Sequence, residues 1–211
     1  MNLEWIHRLE VRLGQELPGL SAQLEMAPPA RGKGALATPP TARTSAVLAL
    51  MYPLEQEMQM VFMRRAEDGR THGGQISFAG GKTEEEDETP VHTALREAEE
   101  ELGISQQEVK ILGQLTELYI PVSNFLVYPS VGFLPERPTF NPDPVEVAGV
   151  IETPLSDFLK AENRRLSNIA ISNNMGRFNI EAPAFEVGGH TIWGATAMML
   201  SELVAIVQEL D

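Results

Sequence analysis

A short helix with well-marked ends and a row of carboxylates constrains this chain most. Its start is marked by Thr89, which suits the N-cap, and by Pro90, which suits the first helical position. Gly103 suits the position that follows a helix. Between these ends, apolar residues recur at helical spacing and form one stripe. The stripe consists of Val91, Ala94, Leu95, Ala98 and Leu102. The sequence therefore predicts a helix over residues 90–102 that packs this stripe on a core.

The polar side of this helix concentrates negative charge. Glu97, Glu100 and Glu101 are three or four residues apart, so their side chains share one helix face. Like charges at this spacing repel unless a cation neutralises them, and Mg²⁺ and Mn²⁺ prefer such hard oxygen ligands. A solvated acidic face is the alternative interpretation. The glycine pair Gly80-Gly81 favours the metal site, because glycine lets the backbone approach a phosphate or an ion closely.

These residues carry a resemblance to a known family. The helix and the loop before it resemble the Nudix box, G-x5-E-x7-R-E-U-x-E-E-x-G-U, in which U is aliphatic. The residues in register are Glu88, Arg96, Glu97, Glu100, Glu101, Gly103 and Ile104, with Ala98 at the first aliphatic position. Six residues separate Gly81 from Glu88, one more than the general pattern has. The resemblance implies metal-dependent hydrolysis of a pyrophosphate bond.

The segment before the box narrows the resemblance. Residues 61–81 are similar to the signature of the coenzyme A pyrophosphatase branch, roughly L-L-T-x-R-[SA]-x3-R-x3-G-x3-F-P-G-G. The matching residues are Arg65, Ala66, Arg70, Gly74, Phe78, Gly80 and Gly81, and the departures are Val61, Phe62, Met63 and Ala79. The branch implies that CoA or acyl-CoA is cleaved to 3′,5′-ADP and (acyl-)4′-phosphopantetheine. Two alternatives remain: another Nudix substrate (a nucleoside triphosphate, ADP-ribose or a dinucleoside polyphosphate) and a non-catalytic nucleotide-binding Nudix module.

The resemblance also implies a ligand set. Glu97, Glu100 and Glu101 are expected to be the catalytic residues and to hold Mg²⁺ or Mn²⁺. The backbone carbonyl of Gly80 is expected to be a further ligand, and Glu146 is expected to be a further ligand or a base, with an exposed strand-edge carboxylate as the alternative. Glu97 alternatively orients or deprotonates the attacking water. A salt bridge between Glu88 and Arg96 is expected to support the loop and the helix, without a direct part in the chemistry.

Basic residues cluster just before the glycine loop. Arg64, Arg65, Arg70 and His72 are candidates for contacts with substrate phosphates, because a guanidinium offers a planar fork to phosphate oxygens. A charged strand end is the alternative for the arginines, and a loop cap is the alternative for His72. His190 has no partner that the sequence reveals.

Composition limits the other functions. The chain has 30 acidic and 16 basic residues and a net charge of −14, which argues against a nucleic-acid-binding surface. It has no cysteine, which excludes disulfides and thiol nucleophiles. It has neither a signal-peptide pattern nor an apolar run long enough to span a bilayer. We therefore expect a cytoplasmic protein without a membrane or nucleic-acid partner.

The remaining periodicity indicates the architecture. Strands are predicted near 44–52, 59–65, 76–79, 108–118, 126–134 and 146–152, with a hairpin over 167–187 and helices at 3–14, 154–160 and 194–210. Mixed strands with helices on two sides indicate an α/β fold, a Nudix-type α/β/α sandwich with a mixed central sheet. We expect residues 42–211 to form the Nudix hydrolase domain. Residues 1–41 are expected to form an N-terminal helix and a Pro-rich arm, packed on this domain or on a second subunit of a homodimer.

Overall fold

The helices and strands are arranged in an α/β/α sandwich. A computed structural model describes residues 3–29, 37–67, 73–173 and 176–210, and the side chains of 3, 172, 173, 176 and 177 are not described. The helices are α1 (Leu3–Leu13), α2 (Gly19–Leu24), α3 (Pro90–Leu102), α4 (Leu155–Leu159) and α5 (Gly194–Gln208). The strands are β1 (Arg43–Leu54), β2 (Glu57–Arg65), β3 (Ile76–Ser77), β4 (Ala79–Lys82), β5 (Lys110–Gln114), β6 (Leu118–Ile120), β7 (Phe125–Phe133), β8 (Val147–Pro154), β9 (Arg164–Asn173), β10 (Gly176–Val187) and β11 (His190–Trp193).

The central sheet is mixed, as the sequence predicted. Strand β1 pairs antiparallel with β2 and β4 and parallel with β7. Strand β2 continues past β1 and pairs antiparallel with β3 and β8. Strands β9, β10 and β11 form a separate antiparallel sheet. The predicted strand over 108–118 is two short strands, β5 and β6, which both pair with β7.

Two apolar layers cover the two faces of the central sheet. Side chains alternate between faces along a strand, and β1 follows this rule. Leu48 and Leu50 pack on the α3 side, whereas Ala49 and Met51 pack on the side of α1 and α5. On α3, Ala94, Ala98 and Leu102 are buried, which confirms the predicted apolar stripe. The helix that carries the carboxylates is thus fixed against one face of the sheet.

The N-terminal segment packs against the other face. Helix α1 buries Ile6, Leu9 and Leu13 in the apolar layer that also contains α5. Helix α2, which the sequence did not predict, packs against α5. A fully buried carboxylate, Glu202 on α5, joins the two. It accepts hydrogen bonds from Gly19 N–H at 3.0 Å and from the Gln23 amide at 2.9 Å. Residues 30–36 of the expected Pro-rich arm lie outside the described residues.

Within the described residues, no helix is both long and apolar enough to cross a membrane.

Candidate active site

Both ends of α3 are fixed by the groups that the sequence indicated. The side chain of Thr89 accepts a hydrogen bond from His92 N–H at 3.2 Å, and Pro90 occupies the first turn. Gly103 ends the helix with φ of 71°, and a Cβ there would lie 2.7 Å from Asn141 Cβ. Glycine therefore serves both the left-handed conformation and the close approach of a second chain segment.

That second segment is the connection from β7 to β8, and it brings two more carboxylates to α3. The N–H of Asn141 donates to Leu102 O at 2.9 Å, and the N–H of Asp143 donates to Glu101 O at 3.1 Å. The loop thus satisfies two of the free carbonyls that a helix C-terminus leaves. Glu146 follows in the same loop, which places Asp143 and Glu146 beside the glutamates of α3. Sequence reasoning proposed Glu146 and missed Asp143, for which the sequence gives no local signal.

The glycine loop holds the most buried of the glutamates. The N–H of Gly80 donates to Glu101 Oε2 at 2.7 Å. Gly80 pairs with Val47 of β1 and has φ of 155°, and a Cβ there would overlap the carbonyl of Ala46. A Cβ at Gly81 would overlap the carboxylate of Glu97. Gly80 is therefore required by the close approach of β4 to the backbone of β1, whereas at Gly81 the contact is with the end of a flexible side chain. The structure shows a Gly80 N–H contact with Glu101, whereas the predicted metal contact of its carbonyl stays a prediction.

Burial sets the electrostatics of this region. Glu101 is 2% exposed, and burial raises the pKa of its carboxyl to about 8, although Gly80 N–H and Arg65 oppose the shift. Arg65 Nη1 lies 3.6 Å from Glu101 Oε1. Burial likewise raises the pKa of Glu97, with Arg96 opposing the shift. The charges of Glu97 and Glu146 raise the pKa of Glu101 further. A cation placed among these groups would favour their ionised forms.

Arg96 is the hydrogen-bonding centre of the loop and the helix, but its main partner differs from the prediction. Its Nε and Nη2 donate to the two carboxylate oxygens of Asp87 at 3.1 and 3.0 Å. It also contacts Glu97 at 3.1 Å and Glu100 at 3.0 Å. The expected salt bridge to Glu88 is wrong, because Glu88 is exposed and its neighbour Asp87 turns toward α3. Five residues separate Gly81 from Asp87, which is the spacing of the general box pattern, so the sequence contained this signal.

The carboxylates surround one hollow of ≈ 360 Å³. Its lining residues are Glu84, Arg96, Glu97, Glu100, Glu101, Asp143 and Glu146. The oxygen donors fit Mg²⁺ or Mn²⁺ chemically, and the buried Glu101 beside Glu97 and Glu146 lacks enough positive charge to keep its pKa low. Within the described ranges, however, no three carboxylate or imidazole side chains already lie close enough together to hold a metal ion. Arg96 holds Glu97 and Glu100, so binding of an ion requires these side chains to turn toward Glu101.

The structure separates the basic residues that the sequence had grouped. Neighbouring residues on a strand point to opposite faces, so Arg65 lies beside Glu101 whereas Arg64 lies on the other side of the sheet. There Arg64 Nη2 is 3.2 Å from Nδ1 of His190, a partner that the sequence did not reveal. Arg70 and His72 lie outside the described residues. The alternation along β2 was available from the sequence, whereas the pairing with β11 was not.

The role of Asp87 gives a stability prediction. The hydrogen bond from Arg96 holds the pKa of Asp87 at about 2, and the Asp87 side chain is only 5% exposed. Asp87→Asn leaves part of the Arg96 fork without an ionised partner, which we expect to cost about 1–3 kcal/mol in the free energy of unfolding. Glu88→Gln, one residue away and exposed, is the matched control and is expected to change it by less than about 0.5 kcal/mol. Equal shifts of the two urea midpoints would contradict this assignment.

Glu101 makes the stability of the metal-free protein depend on pH. Its pKa is raised from 4.5 to about 8, so the folded state retains a proton that the unfolded state releases. The stabilisation is complete below pH 4.5 and is lost as the pH rises through about 8. We expect the urea midpoint in excess chelator to fall over this range, and Glu101→Gln to remove most of the fall because glutamine does not ionise. An identical fall in the variant would show that another group is responsible.

The chain is similar to known proteins of one family. The chain matches the model of the NUDIX domain over residues 42–169. It is 36% identical over 149 residues to the uncharacterized Nudix hydrolase NudL of Photorhabdus laumondii, with 71% of this chain and 77% of that protein covered. It is 33% identical over 191 residues to the human mitochondrial coenzyme A diphosphatase NUDT8, with 90% and 74% covered. The structure of a Nudix hydrolase from M. smegmatis, RenU, is similar with a TM-score of 0.57 at 14% identity, over 81% of this chain and 88% of that chain, which supports the fold.

Proposed function

Because the chain belongs to the Nudix hydrolase family and is a pyrophosphohydrolase, we propose that it cleaves CoA or acyl-CoA at the pyrophosphate bond. Glu97, Glu101 and Glu146 lie together in one hollow next to the backbone of Gly80 and Gly81, and this arrangement carries the proposal. The name of the human relative, a coenzyme A diphosphatase, supports the substrate. The resemblance of residues 61–81 to the coenzyme A branch points to the same substrate.

Nudix hydrolases generally use divalent metal ions, and the carboxylates of this hollow supply suitable ligands. We assign Glu97, Glu100 and Glu101 as the metal-holding residues, with Glu146 reaching the same hollow from the β7–β8 loop. A bound Mg²⁺ or Mn²⁺ would neutralise charge on the phosphate oxygens and acidify a bound water. Asp87 and Arg96 hold the loop against α3 through their hydrogen bonds, and they need not contact the substrate.

The protein groups around the hollow then have separate tasks. Arg65 lies 3.6 Å from Glu101 with its side chain 31% exposed, so its guanidinium can reach a phosphate oxygen from the edge of the hollow. Glu97 and Glu146 are the carboxylates that can accept a proton from the attacking water, because both lie beside Glu101. Attack on one phosphorus breaks the bond to the bridging oxygen, and each product leaves with a terminal phosphate.

A substrate panel tests the function directly. Full-length protein is incubated with Mg²⁺ or Mn²⁺ and, separately, with CoA, acetyl-CoA, ADP-ribose, a nucleoside triphosphate and a dinucleoside polyphosphate, and the products are resolved by mass spectrometry. We expect 3′,5′-ADP and (acyl-)4′-phosphopantetheine from the CoA substrates and no turnover in excess chelator. A much higher kcat/KM for ADP-ribose or a nucleoside triphosphate would contradict the CoA assignment. Binding without turnover of any compound would indicate a non-catalytic module.

A further inference from the structure

A second hollow of ≈ 430 Å³ lies beside the end of β2, outside the carboxylate site. The β3 side is formed by residues Gly73 to Ile76, and the opposite side is formed by β9 and β11 of the smaller sheet. Its size is in the usual range for a small-molecule site, about 300–1,000 Å³. The proposed chemistry of the carboxylates uses none of these residues.

The hydrogen bond between Arg64 and His190 organises the donors of this hollow. A guanidinium has no acceptor, so Arg64 Nη2 donates to Nδ1 of His190 at 3.2 Å. The neutral imidazole then carries its proton on Nε2, which remains a donor. Among the described residues, the Arg64 side chain has this one hydrogen-bond partner, and a guanidinium carries five N–H groups, so an oxyanion can receive bonds from both side chains. Helix α5 begins at Gly194, directly after β11, with no acidic residue in its first turn, and its positive end adds to the local potential.

Other lining groups favour a nucleoside over a simple anion. Trp193 is half-buried in the wall and presents an indole ring, which can contact a planar base. Glu67 also lines the hollow and lies against Gly74. A carboxylate repels a bare anion, but it accepts hydrogen bonds from the hydroxyl and amino groups of a nucleoside. A hollow with a basic pair, an aromatic wall and one carboxylate thus matches a phosphorylated nucleoside in its chemistry.

The position of the hollow connects it to the carboxylate site. Arg64 and Arg65 are consecutive, so their Cα atoms are about 3.8 Å apart. Arg65 points to Glu101, whereas Arg64 points to His190. The two hollows therefore lie on the two faces of one strand end. A substrate whose pyrophosphate lies at Glu101 can pass over this end and place its nucleoside in the second hollow.

We propose that the hollow between β3 and the β9–β11 sheet binds the phosphorylated nucleoside end of the substrate, with Arg64 and His190 contacting its phosphomonoester and Trp193 its base. For CoA, this group is the 3′-phosphoadenosine, and to that extent the assignment rests on the proposed function. Arg64 and His190 are then specificity-determining residues, since they distinguish CoA from dephospho-CoA without touching the reacting atoms.

Binding of 3′,5′-ADP tests the site without catalysis. The chain has two tryptophans, Trp5 and Trp193, so Trp5→Phe leaves Trp193 as the reporter. We expect 3′,5′-ADP to quench this fluorescence. Arg64→Ala in the Trp5→Phe background is expected to weaken the binding about tenfold, the loss typical of one charged hydrogen-bonding partner. The affinity for 5′-AMP, which lacks the 3′-phosphate, should change little. Arg8→Ala, an exposed arginine of α1, is the control. Equal affinities of the Arg64→Ala and Arg8→Ala proteins for 3′,5′-ADP would overturn the proposal.

Hydrolysis separates this inference from the proposed function. We expect Arg64→Ala and His190→Ala to lower kcat/KM for CoA through KM, with kcat and the kcat/KM for dephospho-CoA nearly unchanged. CoA turnover whose preference over dephospho-CoA survives in Arg64→Ala would overturn the inference and leave the function standing. Arg64-dependent binding of 3′,5′-ADP without CoA turnover would support the site and contradict the function.

Discussion

Glu101→Gln is expected to lower kcat/KM by about a thousandfold or more, equivalent to about 4 kcal/mol in the activation free energy. Glutamine matches glutamate in shape and still accepts the hydrogen bond from Gly80 N–H, which in the native chain is 2.7 Å long. It cannot carry the negative charge that the proposed metal site requires. The loss should therefore arise from metal binding and catalysis, while the fold is retained.

The matched control is Glu99→Gln on the same helix. Glu99 is exposed, accepts a hydrogen bond from Gln106 and does not line the carboxylate hollow. We expect it to keep nearly full activity. Titration calorimetry with Mn²⁺ should show weakened binding in Glu101→Gln alone, and circular dichroism should show matching spectra for both. Near-native turnover by Glu101→Gln would remove Glu101 from the proposed catalytic set, and unfolding of the variant would contradict the expectation that the fold is retained.

A shortened chain that begins at Thr41 is expected to lose most of its stability. The deletion removes the buried side chains Ile6, Leu9 and Leu13 from the apolar layer against α5. Each contributes about 1.5–3 kcal/mol, so that together they approach the whole stability of a typical domain, about 5–15 kcal/mol. Buried Glu202 would also lose Gly19 N–H and the Gln23 amide. Thermal unfolding should show a large fall in Tm or no cooperative transition.

A milder pair of substitutions distinguishes packing from the general effects of deletion. Leu9 is fully buried on α1, whereas Val11 on the same helix is 49% exposed. Leu9→Ala is expected to cost about 2–5 kcal/mol and Val11→Ala much less. Similar losses from both would contradict the packing of α1 on its own domain. The homodimer stays a prediction, and the packing of α1 within one chain does not require it. Light scattering on the full chain tests it.

Local signals in the sequence determined helix α3 and the common face of its carboxylates. The ends of α3 depend on Thr89, Pro90 and Gly103, which act within a few residues, and the common face of its glutamates follows from helical spacing alone. The apolar stripe and the alternation along β1 depend on equally short periods. For this reason the helix that carries the carboxylates, the mixed sandwich and the family could be predicted before any contact was known.

Tertiary structure decided which distant groups join that helix. Asp143 reaches the carboxylate hollow because the backbone of its loop bonds to the end of α3. The Arg64–His190 pair exists because β11 of a second sheet comes to lie beside β2 and β3. The packing of α1 and α2 likewise depends on α5, which lies at the opposite end of the chain. Sequence patterns describe neighbours along the chain, whereas these contacts depend on the pairing of strands and the packing of layers, which no single segment encodes.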